Sequence, residues 1–101
     1  MEEIKKPYGH EQTKMSEDTI FIGNDPVMQI ALDVLSFLNN KSKIFLKAKG
    51  NAIPNAVAVA NIITEKMLNG KSKVEKINLD IDGKPGIGRM LSTIEIILIK
   101  I

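Results

Sequence analysis

The sequence predicts an α/β protein, an α+β sandwich of order βαβαββ, with two helices on one face of a four-stranded mixed sheet. Two observations predict this class. Apolar residues recur at three- and four-residue spacings in two segments, and short apolar or alternating runs precede, separate and follow them. Right-handed crossovers then place both helices on the same face. A length of 101 residues suits one small domain.

The chain divides at about residue 18. Residues 1–18 have no apolar period and contain Pro7 and Gly9, so we expect a flexible N-terminal tail. Residues 19–101 form the predicted folded domain.

The first strand and helix follow this tail. Residues 19–22 are a short run rich in apolar side chains that ends at Gly23, as expected of a buried strand. Asp25 is the predicted N-cap of the first helix, and Pro26 is its first residue. The predicted core-facing residues of this helix are Val27, Ile30, Ala31, Val34, Leu35 and Leu38.

Residues 43–49 alternate as in a half-buried strand. One side carries Ile44, Leu46 and Ala48, and the other carries Phe45, Lys47 and Lys49. For the second helix we predict Asn51 as N-cap, Pro54 in the first turn and Gly70 as a left-handed stop. Its predicted apolar stripe is Ile53, Val57, Ala60, Ile63 and Met67.

The chain ends in a predicted hairpin with an extended, glycine-rich loop at residues 82–89. Its first strand alternates at Ile77, Leu79 and Ile81. In the last strand, residues 92–101, the even-numbered positions Ile94, Ile96 and Leu98 share one side, which can face the helices. The odd-numbered positions Ile97, Ile99 and Ile101 share the other side and would be exposed unless a second chain covered them. We therefore predict a homodimer.

Composition and charge narrow the function. The chain has no cysteine and one histidine, which excludes cysteine chemistry and histidine-cluster metal sites. No apolar run is long enough to span a membrane and no signal peptide is recognisable, so we expect a soluble, cytoplasmic protein without a membrane partner. Residues 1–33 carry seven acids against three lysines, whereas residues 34–101 carry eleven basic residues against five acids. The folded part therefore favours a polyanionic partner.

Three segments carry a family resemblance. They are IGNDPVM at residues 22–28, KAKGNAI at residues 47–53, and GR at 88–89 together with STIEI at 92–96. In order and spacing they resemble the signature segments of the archaeal Alba family, over about residues 19–101. The resemblance implies a βαβαββ domain, a dimer, and binding to double-stranded DNA and RNA as a chromosome-associated chromatin protein. It also implies a basic surface at the first βα turn and before the second helix, with the hairpins as arms along the duplex.

The residues themselves agree with a phosphate-binding role. Lys47 and Lys49 lead to the turn at Gly50, where free backbone N–H groups at a helix start suit a phosphate. Lys84 and Arg89 flank the hairpin loop, where cations can lie in or beside a minor groove. An ordinary solvated strand face is the alternative for the two strand lysines.

The chain also departs from the family pattern. Asn24 and Asp25 stand where typical members have two lysines, and Lys49, Asn51 and Asn55 stand where arginine or another basic residue is usual. Lysine cannot form the bidentate phosphate contact of arginine. We therefore predict weaker DNA affinity and a shallower salt dependence than is typical. The three asparagines keep hydrogen-bonding capacity, so RNA is a second candidate ligand.

Two other functions stay open. Asp80, Asp82 and Glu95 could hold a divalent cation for phosphodiester hydrolysis, but solvated strand faces explain these acids more simply. We therefore predict no enzyme activity, cofactor, metal or small-molecule substrate. The other alternative is a protein-interaction or RNA-binding subunit of a ribonucleoprotein with little general DNA coating.

Overall fold

The computed structural model describes residues 13–82 and 91–101. Within them the chain forms five strands: β1 Lys14–Met15, β2 Thr19–Phe21, β3 Lys43–Lys49, β4 Ser72–Asp82 and β5 Leu91–Lys100. It also forms two α-helices, α1 Val27–Lys41 and α2 Ile53–Ile62. A 3₁₀ turn, Gly50–Ala52, precedes α2, and a π-helical turn, Ile63–Met67, continues it.

The strands form one mixed sheet in the order β1-β2-β3-β5-β4. β2 and β3 are parallel, and the other neighbours are antiparallel. Both helices pack against β3 and β5, and their apolar side chains share one buried core with those strands. The predicted fold class is confirmed, with five strands in place of four.

The additional strand lies within the expected tail. Lys14 pairs with Phe21 and Met15 with Ile20, so β1 covers the outer edge of β2. A strand of two residues is too short to show an alternating pattern, which explains why the sequence gives no sign of it. Its backbone instead pairs with N–H and C=O groups that β2 would otherwise leave open at the sheet edge.

Helix α1 buries the side that its periodicity predicts, namely Ile30, Ala31, Val34 and Leu38. The predicted N-cap is wrong. The helix begins at Val27, Pro26 occupies the N-cap position, and no side chain caps the helix. The carboxylate of Asp25 instead accepts a hydrogen bond from the backbone N–H of Thr13, at 3.1 Å.

Strand β3 alternates as predicted, with Ile44, Leu46 and Ala48 buried among the helices. For α2, two predictions are wrong. Asn51 lies within the 3₁₀ turn and does not cap the helix, and Val57 is 41% exposed while Ala56 and Val59 are buried. Ala60 and Ile63 of the predicted stripe are buried, so only Val57 is misplaced. Most residues of α2 are apolar, so periodicity alone could not exclude Val57 from the buried side. Pro54 in the first turn and Gly70 with φ +79° agree with the predictions.

The hairpin is longer than predicted, and its register shifts between Val74 and Lys76. In β5 the residues Ile94, Ile96 and Leu98 are buried, as predicted. Of the other parity, Ile101 is 72% exposed and Ile99 is half-buried, but Ile97 is only 8% exposed. The expectation that Ile97 needs a second chain to cover it is wrong, because its cross-strand neighbours Phe45 and Lys76 flank it on both sides.

Candidate nucleic-acid interface

Five of the eight predicted binding residues surround one open cavity of about 620 Å³. They are Asn24, Lys47, Lys49, Gly50 and Asn51. The parallel pairing of β2 and β3 explains their convergence, because the carboxyl ends of parallel neighbours meet at one edge of a sheet. The N–H of Ile22 still donates to the carbonyl of Lys47 at 2.8 Å, so the strand-to-helix turns at Asn24 and at Gly50 lie side by side.

The second of these turns depends on glycine. Gly50 has a φ of +57°, in the left-handed region that side chains disfavour. A Cβ atom at this position would lie 3.3 Å from Cδ2 of Leu91, the first residue of β5. Gly50 therefore meets a conformational and a steric requirement of the fold, in addition to the phosphate approach that the sequence predicts.

The first turn is held by side chains. The Asn55 amide donates to the Gly23 carbonyl at 2.9 Å, and the Gly23 N–H donates to Thr13 Oγ1 at 3.1 Å. Asn55 is half-buried and does not line the cavity. Its observed partner is thus the protein backbone, and its contact with a nucleic acid stays a prediction.

The two strand lysines have different surroundings. Lys49 is exposed at the last position of β3. Lys47 is half-buried, with its Nζ 3.6 Å from Glu95 Oε2 and 6.0 Å from the ring centre of Phe21. Glu95 also accepts a hydrogen bond from the Asn78 amide at 2.8 Å. Lys47 therefore belongs to a network across the sheet, and Lys49 is the more exposed of the two residues.

The cavity is not strongly basic. Asp80 and Glu95 line it together with Lys47 and Lys49, so its formal charges balance. Among the described side chains no three that could hold a metal ion come together, and Asp80 and Glu95 are the two acids of the alternative set that lie among them. The predicted contacts Lys84 and Arg89, like the side chain of Asp82, lie outside the described residues.

Sequence reasoning missed several residues that line the cavity, among them Phe21, Asn78, Leu91 and Thr93. The sequence could have indicated Phe21. If β2 and β3 are parallel neighbours, side-chain alternation along each strand can put Phe21 and Lys47 on the same face of the sheet. The hairpin residues give no such signal, because their position beside Gly50 depends on the pairing of β3 with β5.

A family model described as Alba matches residues 18–81. The DNA/RNA-binding protein Alba 1 of Archaeoglobus fulgidus is 40% identical over 89 residues, which cover 85% of this chain and 99% of that protein. The chain belongs to the Alba family. The DNA/RNA-binding protein Alba of Methanococcus maripaludis is 36% identical, over 83% of this chain and 99% of its own length. The relatives of this Alba-family chain are thus named as binding proteins and not as enzymes, in agreement with the predicted lack of enzyme activity.

Solved structures agree with the Alba fold. Alba from Thermoplasma volcanium superposes with a TM-score of 0.70 at 37% identity, over 80% of this chain and 98% of that one. An Alba protein of Trypanosoma brucei, at 18% identity, shows the same fold with a TM-score of 0.69 over 86% of this chain and 72% of that one. Among the helices described for this chain, none has the length and apolar character to cross a bilayer.

Proposed function

We propose that this chain binds double-stranded DNA and RNA, mainly through their phosphate backbones, at the paired turns around Asn24 and Gly50. One observation carries the proposal: two strand-to-helix turns lie side by side at one open cavity, which the exposed residue Lys49 also lines. The names of the relatives, DNA/RNA-binding protein Alba, support it. Backbone contacts of this kind give affinity without reading base sequence.

The affinity should be weaker than is typical of the family. Asn24 is exposed at the first turn and supplies no charge, and Asp25 contributes a negative one. Lys47 is paired with Glu95. Fewer cations available for phosphates release fewer counterions, so the dependence on salt should also be shallow.

We propose that the binding form is a homodimer, but through a different surface from the one expected from Ile97. Ile77, Leu79 and Ile81 of β4 are 52%, 74% and 57% exposed. Ile77 pairs with Ile96 and Leu79 with Ile94, which puts these residues on the helix-bearing side of the sheet. A second copy that covered them would remove a contiguous apolar strip from water. Light scattering should give the mass of a dimer, and Leu79→Lys should reduce it to that of a monomer; a monomeric native protein would contradict this proposal.

The central test is a titration with matched duplex DNA, duplex RNA and single strands between low and physiological salt. Lys49→Ala and Arg89→Ala should weaken duplex binding and reduce the slope of log K against log salt by about 0.9 for each phosphate that is no longer neutralised. Lys66→Ala is the matched control, because Lys66 is exposed at the far end of the second helical segment. Absence of nucleic-acid binding even at low salt would contradict the proposal.

The same titration distinguishes two cellular roles. A negative salt slope with similar affinity for all duplexes favours a chromosome-associated protein that coats DNA. A very shallow slope with a defined RNA preference favours a subunit of a ribonucleoprotein. The balanced charges of the cavity are the observation that favours this second role.

A further inference from the structure

The side of the sheet that faces away from the helices carries two phenylalanine rings, and we call this side the open face. Phe21 on β2 is 48% exposed, and Phe45 on β3 is half-buried. Phe21 pairs with Lys47 and Thr19 pairs with Phe45, so the two aromatic residues are diagonal neighbours on parallel strands. From the spacing of strands and the rise per residue, their Cα atoms are roughly 8 Å apart.

Lysines surround both rings. Lys47 Nζ lies 6.0 Å from the ring centre of Phe21, and Lys43 Nζ lies 5.9 Å from that of Phe45. Lys14 pairs directly with Phe21. Across β5 on the same side of the sheet lie Lys73 and Lys76, opposite Ile99 and Ile97.

Acidic side chains on this side of the sheet are unevenly placed. Glu95 and Glu75 neutralise one lysine each, through contacts of 3.6 Å to Lys47 and 3.3 Å to Lys43. Glu17 and Asp18 border Phe45, where they line a second open cavity with Lys43. Around Phe21, the more exposed ring, Lys14, Lys47 and Lys49 lie near Glu95 and Asp80, which leaves an excess of one positive charge.

This combination has a specific chemical use. An exposed aromatic ring offers a surface on which any nucleobase can stack, and nearby lysines attract the phosphates between stacked bases. A duplex conceals the faces of its bases between neighbouring base pairs, so only unpaired nucleotides can use such rings. The open face adjoins the cavity of the proposed interface, because Phe21 and Lys47 line both.

We propose that the open face binds single-stranded nucleic acid, with bases stacked on Phe21 and Phe45 and the backbone held by the surrounding lysines. This inference rests on the proposed function for its nucleic-acid ligand and adds a ligand class, unpaired nucleotides, with its own binding surface. The proposal makes the same chain a binder of duplexes at its turns and of unpaired segments on its sheet. It assigns Phe21 the larger share of the stacking.

The first experiment compares a short oligouridylate with a duplex RNA of equal length, using the full chain. Phe21→Leu should weaken oligouridylate binding about tenfold, and Phe45→Leu should weaken it less. Duplex affinity should stay unchanged in Phe45→Leu, because Phe45 does not line the cavity of the proposed duplex interface. Phe37→Leu is the matched control: Phe37 also has a lysine amine 5.8 Å from its ring centre, but it lies on α1. If Phe21→Leu and the native chain bound oligouridylate with equal affinity, the stacking proposal would be overturned, and the proposal of duplex binding at the turns would not be contradicted.

A second measurement reads stacking directly. The chain has no tryptophan, so Phe21→Trp introduces a single indole whose fluorescence a stacked base should quench. Quenching by oligouridylate but not by duplex RNA supports the proposal, and an unchanged signal at saturation overturns it. A change of molecular mass in Phe21→Leu, measured by light scattering, would show that a second copy covers this face and would also overturn it. If the native chain binds neither ligand, the proposed function itself fails.

Discussion

The two turns of the candidate interface make the same connection, from a strand into a helix, by different means. The turn at Gly23 and Asn24 is held by side chains from elsewhere, through the hydrogen bonds of Thr13 and Asn55 to Gly23. The turn at Gly50 is held by its own backbone conformation and by its fit against Leu91. A turn that is held by side chains from other elements can tolerate substitution of its own residues as long as those side chains remain. A turn that needs a left-handed glycine cannot tolerate substitution of that glycine. The braced turn is also the one where the resemblance to the family leads us to expect two lysines and the chain has Asn24 and Asp25.

The largest effect is expected at the glycine turn. Gly50→Ala should lower the free energy of unfolding by about 2 kcal/mol, of which about 1 kcal/mol is the cost of a left-handed backbone. The rest comes from the 3.3 Å approach to Leu91. Gly70→Ala is the matched control, since Gly70 has a φ of +79° but nothing within 4 Å of its Cβ position. Denaturant unfolding measures the stability of both variants. Equal losses of stability would show that the Leu91 side chain moves aside at no cost in free energy.

A smaller effect is expected when the main brace of the first turn is removed. Asn55→Ala should cost about 1 kcal/mol, because the carbonyl of the buried Gly23 loses its donor. Asn61→Ala changes an exposed residue of the same helix and should have little effect. If binding to duplex DNA also weakens in Asn55→Ala, the brace positions the turn for its ligand. Unchanged stability in Asn55→Ala would mean that other contacts hold the turn.

The second brace should matter less. Thr13→Val keeps the shape of the side chain but removes the oxygen that accepts from the Gly23 N–H. We expect a loss of about 0.5–1 kcal/mol in denaturant unfolding. The control is Thr19→Val, because within the described residues the Thr19 hydroxyl bonds only to the exposed carboxylate of Asp18. A loss in Thr19→Val as large as in Thr13→Val would argue against a bracing role for Thr13.

The smallest effect on stability, and the clearest effect on binding, is expected from adding a positive charge at the first turn. Asn24→Lys should leave the unfolding free energy almost unchanged, since Asn24 is exposed. Duplex affinity should rise, and the salt slope should steepen by about 0.9 if the new amine meets one phosphate. Asn69→Lys adds the same charge at an exposed site after the second helical segment and should leave the slope unchanged. Equal slopes in both variants and the native chain would place the ligand away from the first turn.

Much of the fold could be predicted because its signals are local. The alternation of β3 and the burial of Ile94, Ile96 and Leu98 follow from parity alone. The position of both turns followed from the glycines and the residues after them. Five of the eight residues predicted to bind nucleic acid also line one cavity, and their role in binding stays a prediction.

The predictions that failed concern residues whose side chains have more than one possible partner in the fold. Asp25 and Asn51 are good capping residues, but neither caps a helix. Asp25 accepts a bond from Thr13 instead, a partner twelve residues away that no capping rule considers. Likewise the exposure of Ile97 depended on the side chains opposite it on two other strands.

The sequence by itself determined the order of the elements from β2 onward, which side chains of β3 and β5 face inward, and the family of the chain. Each of these is carried by spacing along the chain, and spacing sets which side chains share a face. Tertiary structure alone decided that Val57 of α2 is exposed, that Lys14 and Met15 join the sheet, and that Phe21 lies beside Lys47 on the open face. The physical reason is that an apolar helix, a two-residue strand and an exposed ring each fit several arrangements locally. Only packing against distant segments selects among them.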